Sequence, residues 1–256
     1  MEKMTTTKLL PKYRMGTYLD YHVSKNKKVP KIDFKLMEQF LEQPGMLCVD
    51  IFSSDIDDKW IQLFSSWKRL QFVSIKTNFN DSIFLFLQAL RTQQNLNQIL
   101  IYPENYGDRE VDLFRQFMLQ KQFKALAFDT LKTDLKDRFL ALAKTYPEKL
   151  SGKIVIWWSH ARLHDLSFRS LGRVEPDTVR FVKENLVVDY YNKEATEETS
   201  EEMFMRYVTC TELRFVKTEN SEEKGKTKLR CPLRRAWKLV KRATERVVGS
   251  CFKNDF

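Results

Sequence analysis

The stretch FKALAF, Phe123 to Phe128, places apolar side chains first, fourth and sixth, and that spacing returns along the chain. Written as first-x-x-second-x-third, the frame gives Phe123, Leu126 and Phe128. It also gives Leu96, Ile99 and Ile101, then Leu70, Val73 and Ile75, and Met46, Val49 and Ile51. A weaker match lies at Ser151, Ile154 and Ile156, and a distant one at Cys210, Leu213 and Phe215. From residue 46 to residue 151 successive frames start 24, 26, 27 and 28 residues apart. Alternate residues of a strand face the same way, so the second and third positions point into one core and the residue between them points out.

Between the frames, apolar residues recur at helical spacing, as in Ile56, Trp60, Leu63 and Trp67, or Val111, Phe114, Phe117 and Met118. Each unit is therefore strand then helix. Ile83 to Leu90 is apolar nearly all round, as a sandwiched helix is, and Leu135, Phe139, Leu142 and Tyr146 form one stripe. Thr199 as N-cap, with Glu202 at the capping-box position, opens a last helix through Met203, Phe204 and Tyr207. From Leu163 to Lys193 the frame is lost. Pro176 can open a helix bearing Val179 and Val182 there, and LVVDYY (Leu186 to Tyr191) has strand composition, so one degenerate unit fits. Asp33 caps a helix with Phe34, Met37, Phe40 and Leu41 inward, an end-cap for the stack.

One such unit cannot bury both its strand and its helix, whereas stacked units can. The expected fold class is α/β: an irregular, leucine-rich-repeat-like β/α solenoid with a parallel sheet. The competing reading is an ordinary α/β domain, whose strands also fall about 25 residues apart. Against a doubly wound nucleotide binder, none of the 7 Gly makes GxGxxG, or GxxxxGK followed by Ser or Thr. Three parts are expected: a basic N-terminal segment (1–32), a repeat domain (33–218) and a basic C-terminal tail with an amphipathic helix (219–256).

With 43% hydrophobic and 13% aromatic residues, the chain has the material for a packed core. Cys48, Cys210, Cys231 and Cys251 follow no metal-ligand spacing and read as free thiols. The N-terminus lacks the apolar centre of a secretion signal, and no run approaches the roughly 18 apolar residues of a membrane helix, so an intracellular location, cytoplasmic or nuclear, is expected. Of the formal charge of +10, the 33 residues from Lys224 to Phe256 hold +9, from eleven Lys or Arg against Glu245 and Asp255. Within them CPLRRAWKLVKRATERVV puts Leu233, Trp237, Val240 and Val247 on one helical stripe. Arg234, Arg235, Lys238, Lys241, Arg242 and Arg246 fill much of the rest, an anion-binding set suited to anionic lipid, nucleic-acid phosphate or a calmodulin-like groove. The same helix also reads as a solvated terminus, or one paired with the acidic run Glu194 to Glu202.

Catalytic spacing is not found. His160 and His164 stand four apart, but no Glu follows the first and no third ligand is suggested, so neither a metal nor a cofactor is expected. Ser159, His160 and Asp165 lack a GxSxG turn to expose the serine.

FLEQPGMLCVDI, WIQLFSSWKRLQFVSI, FRQFMLQKQFKALAF and RVEPDTVRFVKENLVVDYYN, within Ile32 to Phe215, resemble the nematode F-box-associated families. In these an F-box precedes irregular strand–helix repeats. The resemblance implies a recognition surface for ubiquitin-ligase substrates. An F-box needs about 40 residues with an LPxE-like opening, and only about 30 polar residues precede Asp33. The expectation is a non-catalytic protein-interaction domain. Its partner-facing positions are the outward strand residues Asp50, Ser74, Leu100, Ala127 and Val155, unless another element covers that face.

Overall fold

The computed structural model describes residues 16–21, 34–42, 45–103, 106–129, 133–159, 163–165 and 167–217. The chain divides into two compact units, Met1–Ser221 and Glu222–Phe256, and all the described residues belong to the first.

Strand and helix alternate through the first part: β1 (Gly16–Tyr21), α1 (Phe34–Glu42), β2 (Met46–Ile51), α2 (Asp58–Ser66), β3 (Leu70–Ile75), α3 (Asp81–Gln93), β4 (Gln98–Ile101), α4 (Asp108–Met118) and β5 (Ala125–Phe128). The chain continues with α5 (Thr133–Thr145), the short α6 (Pro147–Leu150) and β6 (Ile154–Trp157). It then makes three strands in succession: β7 (Arg169–Glu175), β8 (Thr178–Lys183) and β9 (Leu186–Tyr191). It ends with α7 (Glu201–Arg206) and β10 (Cys210–Phe215). Side-chain caps fix several helix starts. Asp57 accepts the Trp60 N–H at 3.0 Å, and Asn80 accepts the Ile83 N–H at 3.0 Å. Glu110 reaches back to the Gly107 N–H at 2.7 Å. The cap of α7 is Ser200, one residue beyond the expected Thr199; its hydroxyl accepts the Met203 N–H at 3.3 Å.

The ten strands form one open sheet in the order β1-β2-β3-β4-β5-β6-β10-β9-β8-β7. From β1 to β6 neighbours are parallel and follow chain order. The frame residues line up across these strands. Val49, Val73, Ile99 and Leu126 are register partners in turn, as are Ile51, Ile75, Ile101 and Phe128. All the buried apolar helix side chains join one cluster with these strand residues, so the helices pack on one face of the sheet.

Three expectations change. β1, whose Tyr21 is fully buried with its ring 5.3 Å from that of Trp60, lies within the stretch read as a basic lead-in. In β6 the partners of Leu126 and Phe128 are Val155 and Trp157, so the true frame runs one residue later than Ser151, Ile154 and Ile156. IVIW is apolar on both sides, and alternation cannot then tell one face from the other. Finally, Pro176 opens no helix: with Asp177 it makes the two-residue turn between β7 and β8, and Val179 and Val182 fall on opposite faces of β8. The degenerate unit is instead an antiparallel meander, which β10 joins by pairing antiparallel to both β6 and β9. The distant match at Cys210 thus has the right faces and the opposite direction.

Candidate functional site

The sheet face away from the helices carries the functional candidates. One register row crosses it: Asp20, Asp50, Ser74, Leu100, Ala127, Ile156, Glu212, Asp189 and Arg180. Beside it on the same face run Cys48, Phe72, Gln98, Ala125, Ile154 and Arg214. The centre is apolar and each end holds paired charge.

At one end Lys76 Nζ donates to Asp50 Oδ2 at 2.7 Å, with the Phe52 ring 4.4 Å away and the Tyr102 ring 5.7 Å away. Burial pushes the Asp50 carboxyl above its ordinary range, opposed by the Lys76 charge and by the adjoining Ser74 hydroxyl. No hydrogen bond of ordinary length and angle joins Ser74 Oγ to Asp50 Oδ1, and both atoms are buried. At the other end Arg180 grips Asp189 through both carboxylate oxygens, at 2.7 and 2.9 Å, and Arg214 also bonds Asp189. Arg214 Nε lies 3.2 Å from Glu212 Oε1, an ion pair without good hydrogen-bond geometry. The Tyr191 hydroxyl donates to Asp189 Oδ2 at 3.2 Å.

Of the residues expected to meet a partner, Asp50, Ser74, Leu100 and Ala127 do share one row. Val155 does not: it faces the helices, and Ile156 holds its place. None of the row is an open ribbon. Asp50 is 3% exposed, Ser74 and Ala127 0%, Leu100 2% and Ile156 3%, although no described helix packs on this face. The basic set Arg234, Arg235, Lys238, Lys241, Arg242 and Arg246 lies outside the described residues, as does His160. His164 Nδ1 is 2.7 Å from the Tyr190 hydroxyl, and Asp165 Oδ1 accepts the Ser167 N–H at 2.9 Å. Among the described residues no group of His, Cys, Asp and Glu is arranged to hold a metal ion, and no helix is long and apolar enough to cross a membrane.

Two features escaped the sequence. Asp189 of β9 and Glu212 and Arg214 of β10 meet only because the meander returns to β6; their one signal was charge at alternate strand positions. Lys153 gave none. Its side chain is buried, and Nζ donates to the carbonyls of Gln120 and Phe123, the latter at 3.0 Å, closing the loop after α4. Burial, helped by the charge of Lys124, pushes its amine down to about 8.

On this face Asp50 is paired with Lys76, Asp189 with Arg180 and Arg214, and Glu212 with Arg214, and the ground between them is apolar. The chain matches no family model, no curated protein and no solved structure.

Proposed function

We propose that this chain is a non-catalytic protein-interaction domain, an irregular leucine-rich-repeat-like solenoid whose binding ground is the sheet face on which no described helix packs. One observation carries the reading: Phe72, Leu100, Ala127 and Ile156 form an apolar strip on the side of the sheet where no described helix packs. The buried Asp50 Oδ1 and Ser74 Oγ at its margin add polar atoms a partner can satisfy. The resemblance to F-box-associated proteins implies such a recognition surface, while coupling to a ubiquitin ligase does not carry over with it.

The strip is closed to water in this conformation, so a partner reaches it only when the face opens, and Cys48 reports that opening. Its thiol is 0% exposed and lies in the row beside Phe72. Under native conditions a thiol reagent, followed by peptide mapping, should label Cys48 slowly, and more slowly still once a partner captured from extract is bound. Leu100→Gln and Ile156→Gln, each checked for a cooperative melt, should lose that partner, while Leu85→Gln on the outer surface of α3, 50% exposed, should keep it. Folded row variants that retain the partner at wild-type level would refute the surface.

A second reading rests on charge alone: the +9 of residues 224–256 attaches the chain to anionic lipid or nucleic acid. It requires binding that falls steeply with salt and is lost in a chain ending at Ser221. Salt-insensitive binding by the shortened chain would exclude it.

A further inference from the structure

β7 ends the sheet with β8 as its neighbour, and among the described residues no other backbone bonds to its outer side. Arg169, Gly172 and Glu175 lie opposite Val182, Arg180 and Thr178, so all three fall on the face away from the helices. The other arginines of this corner are engaged. Arg173 donates to the carbonyls of Thr196, Glu197 and Thr199 at 2.7, 3.2 and 2.5 Å, and Arg180 grips Asp189. Arg169 and Glu175 are exposed, and neither side chain enters a hydrogen bond or ion pair among the described residues. They stand at the two ends of one strand, as much as about 20 Å apart, too far to meet each other. Between them, a Cβ added at Gly172 would meet nothing within 4 Å.

We infer that β7 is a self-association edge, on which the β7 of a second copy of this chain pairs antiparallel about a two-fold axis at Gly172. In a two-fold contact each residue meets its counterpart twice. This axis sets Arg169 opposite Glu175, Ser170 opposite Val174 and Leu171 opposite Arg173. The two charges without partners in one chain thus meet in the pair, on one face and at both ends of the contact. Unlike charges directly opposite stabilise a strand pair, and like charges oppose it. Register follows from the same charges: moving the axis one residue back sets Arg169 against Arg173, and one residue forward sets Arg173 against its own copy. The pairing of β7 with β8 slips between Ser170 and Gly172 and between Arg173 and Glu175. Such bulges bend an edge and discourage unselective strand addition. The contact is therefore short, and the long side chains of Arg169 and Glu175 bridge the separation that the bends introduce at its ends.

Sedimentation equilibrium of the full chain tests this. Between about 10 and 300 µM, the range suited to a short edge contact, it should show a monomer–dimer equilibrium. Raising the salt from about 0.05 to 0.5 M should weaken the dimer. Arg169→Glu sets Glu against Glu175 at both ends and should weaken it by about tenfold or more, as should Glu175→Arg. The double variant carrying both changes reverses the charges without removing their match, and should return to within about threefold of wild type. Both positions are exposed, so each variant should melt as wild type does. Amide exchange locates the contact: β7 amides should exchange more slowly at high protein concentration, while that of Val73 in β3 should not change. A monomer throughout, a dimer indifferent to both single changes, or single changes that the double variant does not rescue would overturn the inference. So would a monomer whose β7 amides gain protection only from a strand of another protein.

Discussion

Raising the pH from neutrality should stabilise this fold through one lysine. The Lys153 side chain is 4% exposed, and its amine, ordinarily at 10.5, is pushed down to about 8 by burial and by Lys124. With the folded-state value lowered, the folded chain sheds this proton before the unfolded chain does. Below pH 8 both states carry the proton and the folded one bears the full cost of burying it. Between pH 8 and 10.5 the unfolded state binds more protons, so stability rises with pH. The gap from 10.5 to about 8, at 1.36 kcal/mol per pH unit, makes that cost about 3 kcal/mol, of which roughly 2.5 is relieved between pH 7 and pH 10. Lys153→Met removes the titration. It also removes the donors to the Gln120 and Phe123 carbonyls, though Gln120 keeps the Phe123 N–H at 3.2 Å. Losing those bonds should cost about 1–3 kcal/mol at any pH. Near pH 7 the two effects offset, and wild type and variant should have similar stability. Near pH 10 the wild type should lead by about 2 kcal/mol. Urea unfolding of both proteins across this range measures it, and taking their difference cancels other groups such as Tyr21, whose phenol burial holds well above its ordinary range. A difference that stays flat with pH would refute the reasoning, because it would mean that water reaches the Lys153 amine.

Asp189→Ala leaves the guanidinium groups of Arg180 and Arg214, 12% and 13% exposed, without the carboxylate between them, and should cost about 3–5 kcal/mol in the same urea assay. Phe117→Ala empties a fully buried site against Phe123, ring centroids 5.4 Å apart, and should also cost about 3–5 kcal/mol, read as a lowered urea midpoint. Gln94 ends α3 at φ 58°, in the left-handed region that glycine occupies freely, so Gln94→Gly should raise stability by up to about 1 kcal/mol, visible as a higher melting temperature.

The parallel half of the sheet was legible because its strands are half-polar or closely spaced in a repeating frame. Asp50 between Val49 and Ile51, and Ser74 between Val73 and Ile75, marked which side was which. IVIW offered no such contrast, so Val155 was assigned to the wrong face. The meander was illegible for another reason: a hairpin signal at Pro176 and Asp177 is as short as a helix start, and Val179 with Val182 fits either period over so few residues. Of the candidate site, the row from Asp50 to Ala127 followed from alternation alone. The ion network around Asp189 joins residues from β8, β9 and β10 that only strand pairing brings together.

Local spacing of apolar side chains therefore determined the strands and helices from β2 to α5, and in five strands, β2 to β5 and β10, which side meets the helices, because period and pleat are properties of a few neighbouring residues. The direction of β10, the antiparallel return to β6 and the burial of the sheet face on which no described helix packs were decided by tertiary structure. Each depends on contacts between segments far apart in the chain, and alternation along one segment carries no record of its distant neighbours.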